Sequence, residues 1–253
     1  MVKNYFRLFA FLLLTSCAAS CTKKGDTGPA GPAGPSGTSS TSGVGEIYGH
    51  VSLYDQYGSR LYTGLNNVKL TLKNGNYTSA DITGYYTFPA LAPEGYTVSA
   101  AATGYGATQF TINVLGDTVY KDVKLSAIPG FQVLTFKAYH NTGSPNDSLI
   151  LTFNADTRVR NCLVLVSSQN TVSNLPGNYI LAYTKAIPVW ATQVMMQIPV
   201  VDLNGANIFF GQEVYYAAYS YVVNDASVYE DQATGRNAYN AVGTPLVDST
   251  TSP

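Results

Sequence analysis

The sequence predicts an all-β fold, with two antiparallel β-sandwich domains in tandem after a disordered tether. The first observation is composition: 45% of the 253 residues are hydrophobic and only 11% are charged, which favours a packed core. The second is the presence of 20 tyrosines beside many Thr, Val and Gly residues, a bias typical of strands. The third is a succession of short alternating segments separated by turn residues, as in sandwich proteins.

The formal net charge of −1 argues against one class of partner. Proteins that bind nucleic acid concentrate positive charge to meet the phosphates, so we expect no nucleic-acid partner. The sequence contains no Gly-x-x-x-x-Gly-Lys phosphate loop, no His-Glu-x-x-His metal helix and no Gly-x-Ser-x-Gly nucleophile turn. We therefore predict no cofactor, no metal site and no catalytic residue.

Residues 1–16 are typical of a secretory signal peptide. Positive residues at its start precede an apolar run at 8–14, which is too short to span a bilayer of about 30 Å as a helix. The following sequence Leu-Thr-Ser-Cys resembles the bacterial lipobox. That resemblance implies cleavage before Cys17 and lipid attachment there, with Cys21 as the alternative. Because several acyl chains give stable attachment to a membrane, we expect a lipid-anchored protein.

Residues 17–45 predict an extended tether. The segment 25–37 repeats Gly-Pro-Ala in a collagen-like pattern. About four triplets are too few to hold a triple helix without help, so a spacer is favoured over a trimer. A lipobox followed by such a tether resembles surface or outer-membrane lipoproteins of Bacteroidetes-type bacteria. That resemblance implies attachment to the outer membrane and exposure at the cell surface.

Residues 46–127 predict the first sandwich. Strand patterns such as the alternating segment 67–72 are separated by turn residues such as those at 74–76. The motif positions are Gly49, Val51, Asp55, Gly58, Val68, Leu70, Leu72, Asp81, Gly84, Tyr86, Phe88, Leu91, Gly95, Tyr96, Gly104 and Tyr105. They resemble the carboxypeptidase regulatory-like domain, which implies a non-catalytic, transthyretin-like sandwich of seven strands. The chain departs from that pattern by a longer connection between Gly58 and Val68.

Residues 128–253 predict a second all-β domain, which resembles fibronectin-III or immunoglobulin-like sandwiches. Strands are predicted at 131–139, 148–153, 162–166, 191–201 and 213–223, and the segments 229–234 and 237–240 are predicted to supply a closing edge strand. Cys162 lies in an apolar run, so we expect it to be a core residue.

The candidate binding residues are Tyr215, Tyr219 and Tyr221, which share one face of a predicted strand. Tyrosine combines an apolar ring with a polar tip, so it suits either a sandwich core or a platform for sugar or protein. The core interpretation is favoured.

Three tripeptides, at 117–119, 147–149 and 248–250, resemble the O-glycosylation sequence of exported Bacteroidetes proteins. That resemblance implies attachment at Thr118, Ser148 and Ser249, with chance matches as the alternative. The acidic residues at 224–231 could supply oxygens to calcium, but their spacing is irregular and a solvated turn is favoured.

We therefore expect a non-enzymatic, lipid-anchored protein that acts as a binding or presentation module. Its expected partner is an extracellular glycan or an envelope protein. The first alternative is a structural spacer or assembly lipoprotein without a ligand. The second is a glycoside hydrolase with a pair of carboxylates in the second domain, which sequence alone does not exclude.

Overall fold

The structure is a computed structural model that describes residues 43–141, 143–209 and 211–251. The predicted signal peptide, both candidate lipid-attachment residues (Cys17 and Cys21) and the tether up to residue 42 lie outside the described residues. The described residues form eighteen strands, one short α-helix and a 3-10 turn. The all-β prediction is therefore confirmed. These residues belong to one compact unit, in which an N-terminal half (43–127) and a C-terminal half (128–251) are considered in turn.

The N-terminal half forms two sheets. Its strands are β1 (Gly45–Tyr54), β2 (Arg60–Leu61), β3 (Lys69–Leu72), β4 (Tyr77–Ser79), β5 (Tyr85–Leu91), β6 (Glu94–Ala101), β7 (Thr108–Val114), β8 (Thr118–Tyr120) and β9 (Val123–Ser126). In one sheet, β5 and β8 flank the first part of β1, and β2 and β9 flank its last part. The other sheet has the order β4-β3-β6-β7.

The core of the N-terminal half follows from the alternation along its strands. Odd-numbered residues of β1 are buried and even-numbered ones face outward. The buried cluster includes Ile47, Val51, Leu53, Val68, Leu70, Leu72, Tyr86, Val98 and Leu125. Leu91 and Tyr96 are buried with it, as predicted. Gly58 and Gly84 have φ values of 84° and 88°, which confirms the prediction that these turns use the left-handed region.

The C-terminal half is a second pair of sheets. Its elements are β10 (Thr135–His140), β11 (Asn146–Thr152), β12 (Arg160–Ser167), β13 (Leu181–Ile187), β14 (Gln193–Pro199), α1 (Val200–Gly205), β15 (Glu213–Tyr221), β16 (Val228–Asp231), β17 (Arg236–Tyr239) and β18 (Leu246–Thr251). The sheets β10-β11-β14 and β13-β12-β15-β18 enclose one core. Cys162 is fully buried in that core, which confirms the prediction for this residue.

Strands β12 and β15 are buried on both faces. Residues such as Val164 and Tyr216 point into the core between the sheets, whereas Leu163 and Tyr219 belong to a separate cluster on the opposite face. The hairpin β16–β17, a two-stranded sheet of its own, contributes Tyr239 to that outer cluster. The prediction that residues 229–240 close the sheet edge is wrong, because this segment pairs with itself. The strand beside β15 is β18 instead.

Polar contacts join the two halves. Three hydrogen bonds cross between them: Tyr57 Oη donates to Asp156 Oδ2 (3.1 Å), Asn224 Nδ2 donates to Ser126 Oγ (3.0 Å) and Asn240 Nδ2 donates to Ala107 O (2.8 Å). In addition, Lys124 forms an ion pair with Asp225. The main chains also approach closely, since a Cβ atom on Gly106 would lie 2.3 Å from Asn240 O. Only glycine therefore fits at residue 106.

The predicted boundary lies between residues 127 and 128. Leu125 is the last core residue of the N-terminal half and Val133 is the first core residue of the C-terminal half, so the boundary falls between the two cores.

Candidate functional site

The tyrosines predicted from sequence do not form an exposed platform. The side chains of Tyr219 and Tyr221 are only 1% and 5% exposed, in the outer cluster with Tyr179 and Tyr239. Burial raises the pKa of the Tyr221 phenol to about 12. Tyr215 is half-buried and donates a 2.7 Å hydrogen bond to Glu213 Oε2. Their burial agrees with the core interpretation that the sequence favours, and the possible binding role is corrected for Tyr219 and Tyr221: the hairpin and the segment before β13 cover this face of the sheet.

A different set of aromatic side chains reaches the surface. Tyr48 and His50 are alternate residues of β1, Tyr85 lies opposite His50 on β5, and Tyr120 lies beside Tyr48 on the parallel strand β8. Their ring centroids are 5.3 Å apart for Tyr48 and Tyr120, 6.3 Å for Tyr48 and Tyr85, and 5.6 Å for His50 and Tyr85. We call these four residues the aromatic cluster. The pleat of β1 places it on the face opposite the core.

The aromatic cluster is open to solvent. Tyr120 is 51% exposed and Tyr85 36%, His50 is also exposed, and Tyr48 is half-buried between its neighbours. The planes of neighbouring rings are inclined by 49° to 68°. Tyr48 and Tyr85 are tilted and the other two pairs meet edge to face, so the rings do not form a flat stack. A grouped aromatic surface that none of the described elements covers is typical of an interaction site.

Hydrogen bonds hold the cluster in place. Asp122 Oδ1 accepts from Tyr120 Oη at 2.6 Å and from the His50 main-chain N–H at 3.1 Å. This hydrogen bond with the carboxylate raises the pKa of Tyr120 above its ordinary value. On the same face, Thr87 Oγ1 donates to Glu46 Oε1 at 2.5 Å. The rings are therefore framed by carboxylate and hydroxyl groups.

Asp122 occupies the point where β1 changes partner from β8 to β9. The residue before it, Lys121, is held through its main-chain oxygen. Tyr86 Oη donates to Lys121 O at 2.7 Å, and a Cβ atom on Gly49 would lie 1.9 Å from the same oxygen. A glycine at residue 49 is needed because the main chain of Lys121 passes directly over it. Two core-side contacts thus fix the segment that carries Asp122.

A polar groove of about 400 Å³ begins next to this segment, between the two halves. The N-terminal half lines it with residues of β7, β9 and the segment before β9, and the C-terminal half with the segment 225–232. The lining residues are Thr108, Gln109, Phe110, Thr111, Lys121, Asp122, Val123, Lys124, Asp225, Val228, Tyr229, Glu230 and Gln232. We call it the junction groove. Its size lies in the range of about 300–1,000 Å³ that is usual for small-molecule sites.

The acidic residues at 224–231 do not converge on one point. Asp225 pairs with Lys124, and Asp231 accepts hydrogen bonds from the main-chain N–H and the hydroxyl of Thr234. Asn224 Oδ1 accepts from Ala226 N and the Ser227 hydroxyl. Within residues 43–251, leaving aside 142 and 210, no group of three or more His, Cys, Asp or Glu side chains is placed to hold a metal ion.

A buried polar contact was not anticipated from the sequence. His140 Nδ1 and Asp147 Oδ1 are 2.7 Å apart, and the hydroxyl of Tyr216 donates to Asp147 Oδ2. Asp147 and Tyr216 have no exposed surface. The contact joins β11 of one sheet to β15 of the other. The register of the β10–β11 hairpin, which pairs His140 with Asp147, is the signal that could have found it.

The three candidate glycosylation residues differ in their surroundings. Thr118 is exposed on β8, whereas Ser148 is half-buried on β11 between two paired strands. Ser249 is half-buried on β18 and donates to Glu213 Oε1 at 2.8 Å. Thr118 is therefore the most accessible of the three. Modification of these residues stays a prediction.

No helix among the described residues is both long enough and apolar enough to cross a membrane.

No protein-family model and no curated protein matches the sequence. Among solved structures, the chain is similar to one from Bacteroides uniformis ATCC 8492 described as "a putative carbohydrate binding protein", at 14% identity and a TM-score of 0.30, covering 82% of this chain and 100% of that one. It is also similar to a DUF3823 family protein from Parabacteroides merdae ATCC 43184, at 14% identity and a TM-score of 0.28, covering 71% and 91% of the two chains. A streptococcal ancillary pilin has 11% identity, a TM-score of 0.25 and coverage of 81% and 58%.

Proposed function

We propose that the protein is a non-enzymatic, lipid-anchored protein of the cell envelope that binds a glycan through the aromatic cluster. The observation that carries this proposal is the exposed grouping of Tyr48, His50, Tyr85 and Tyr120, with ring centroids 5.3–6.3 Å apart. The predicted attachment at Cys17, or at Cys21, would tether this surface outside the membrane.

The chemistry of the cluster suits a sugar. A pyranose ring has a face of C–H groups and a rim of hydroxyl groups, so it needs an apolar surface with hydrogen-bonding partners at its edge. Tyrosine rings supply the apolar surface, and their hydroxyls with Glu46, Thr87 and Asp122 supply the partners. Because the rings are inclined to one another, the cluster suits a single glycan chain better than the flat surface of a crystalline polymer.

The carboxylates with shifted pKa values do not favour the hydrolase alternative. The pKa is lowered for Asp81, Asp156, Glu213 and Asp231, because each accepts hydrogen bonds that stabilise the ionised form. A glycosidase acid needs the opposite, a carboxyl group that stays protonated.

A spacer role is the second candidate, and the close main-chain approach at Gly106 favours it. Contacts of this kind hold the two halves in one arrangement, as a rigid spacer requires. The spacer interpretation gives no reason for four aromatic side chains to be grouped on an outward face.

The experiment is a glycan array probed with the mature chain in detergent micelles, for the native protein and for Tyr85→Ala and Tyr120→Ala. We expect binding to neutral glycans by the native protein and a loss of about tenfold or more in each variant. Tyr62→Ala and Tyr77→Ala are matched controls, because both rings are exposed and lie outside the cluster. Absence of glycan binding by the native protein, or equal loss in the controls, contradicts the proposal. Capture of an envelope protein at the cluster would replace the glycan as the ligand.

A further inference from the structure

The aromatic cluster and the junction groove meet at Asp122. The carboxylate of Asp122 accepts a hydrogen bond from the hydroxyl of Tyr120, the most exposed tyrosine of the cluster, and Asp122 is one of the residues that line the groove. Lys121, the residue before it, also lines the groove, with its Nζ 5.5 Å from the ring centre of Phe110. The two surfaces are therefore continuous across Asp122.

The groove requires both halves of the protein. Gln109 and Thr111 are exposed residues of β7, whereas Glu230 and Gln232 belong to the hairpin β16–β17. The ion pair between Lys124 and Asp225 crosses from one wall to the other. Neither half alone would present this set of groups.

The chemistry of the groove fits an uncharged, hydroxyl-rich ligand. The lining places two lysines, Lys121 and Lys124, against three acids, Asp122, Asp225 and Glu230. Because the signs are mixed and Lys124 pairs with Asp225, neither sign is concentrated enough to select an ion. The amides of Gln109 and Gln232 and the hydroxyls of Thr108 and Thr111 both donate and accept hydrogen bonds. Phe110 and Tyr229 are half-buried and add apolar surface. Sugars are the common biological ligands that combine these requirements without net charge.

We infer that the junction groove continues the binding site, and that the ligand is a neutral oligosaccharide chain that spans from the aromatic cluster across Asp122 into the groove. This inference rests on the proposed function. Recognition is then divided: the cluster holds one end of the chain, and the groove, built by both halves, holds the sugar residues that follow. Affinity depends on chain length, because a short sugar reaches only one of the two surfaces.

The test is calorimetric titration of the mature chain with neutral α-1,4-glucan, α-1,6-mannan and β-1,4-xylan oligosaccharides, each from the monosaccharide to the hexasaccharide. We expect affinity to rise with length for at least one series. Gln109→Ala and Glu230→Ala each lower hexasaccharide affinity by about threefold to tenfold and leave disaccharide affinity unchanged, since each removes groove hydrogen bonds only. Tyr85→Ala lowers affinity for both lengths.

The matched control is Gln193→Ala, an exposed strand glutamine on β14 outside the groove, which leaves both affinities unchanged. Unfolding temperatures equal to that of the native protein show that the groove variants are folded. If the groove variants bind the hexasaccharide normally while Tyr85→Ala does not, the groove inference is overturned and the proposed function stands. If the native protein binds no oligosaccharide of any series, both are overturned.

Discussion

The hydroxyl of Tyr120 donates a 2.6 Å hydrogen bond to the carboxylate of Asp122, and the same carboxylate oxygen accepts the main-chain N–H of His50. One acidic side chain thus orients the most exposed tyrosine of the aromatic cluster and binds the main chain of β1 near the point where β1 changes partner from β8 to β9. Asp122 is also one of the residues that line the junction groove. The cluster and the groove therefore meet at this residue.

Replacing the Asp122 charge should change the ionisation of Tyr120. The carboxylate raises the pKa of the Tyr120 phenol, because it accepts a hydrogen bond from the protonated phenol and repels the phenolate. In Asp122→Asn the charge is gone, so we expect Tyr120 to ionise at a lower pH than in the native protein. The measurement is an NMR titration of tyrosine ring carbons in the two proteins. An unchanged titration of Tyr120 would show that the contact is absent in solution.

The buried carboxylate of Asp147 should be essential for the stability of the C-terminal half. Asp147→Ala leaves the fully buried Tyr216 hydroxyl and the largely buried His140 ring without their partner. We expect a loss of about 3 kcal/mol in the free energy of unfolding, measured with urea. Tyr216→Phe removes a single hydrogen bond and should cost about 1–2 kcal/mol. Equal stability of Asp147→Ala and the native protein would refute this role.

A methyl group at residue 106 should disturb the junction of the halves. The new Cβ of Gly106→Ala would lie 2.3 Å from Asn240 O and 2.8 Å from Ala241 N, and main-chain atoms cannot turn away as side chains can. We expect a loss of about 1–3 kcal/mol and faster proteolysis of the connection between the halves. Gly205→Ala is the control, because nothing lies within 4 Å of its added Cβ. Similar behaviour of the two variants would argue against a tight junction.

Stability should fall at alkaline pH. Burial raises the pKa of Tyr179 and Tyr221 from 10.0 to about 12. The unfolded chain releases these protons near pH 10 and the folded chain holds them to about pH 12, so the stabilisation is complete below pH 10 and is lost as the pH rises through that interval. Urea unfolding at a series of pH values measures the decline. It should be smaller in Tyr221→Phe, and a flat profile up to pH 12 would contradict the burial.

Local features of the fold were predictable from sequence. Alternation of apolar and polar residues predicts β1 and β3 with their buried faces, and the apolar run around Cys162 predicts a strand with its thiol in the core. Gly58 and Gly84 follow polar turn residues, and both take a positive φ. These properties depend on neighbours in the chain, which a sequence displays directly.

The binding surface was not predictable in the same way. The alternation of side chains along a strand predicts that Tyr219 and Tyr221 share a face of β15. That the hairpin β16–β17 lies over this face depends on long-range packing, which the local sequence does not display. The aromatic cluster depends equally on long-range pairing, since Tyr120 meets Tyr48 only through the parallel contact of β8 with β1. The alternate positions of Tyr48 and His50 in the sequence indicate that both side chains point outward from β1. The structure adds their neighbours Tyr85 and Tyr120, which complete the cluster.

The most direct test of glycan binding at the aromatic cluster is calorimetric titration of the double variant Tyr85→Ala/Tyr120→Ala beside Tyr62→Ala/Tyr77→Ala, with the tightest glycan from the array. All four rings are exposed, and only the first pair belongs to the cluster. Our account predicts that the first variant loses detectable binding and the second keeps the native affinity. Native affinity in the first variant would contradict it.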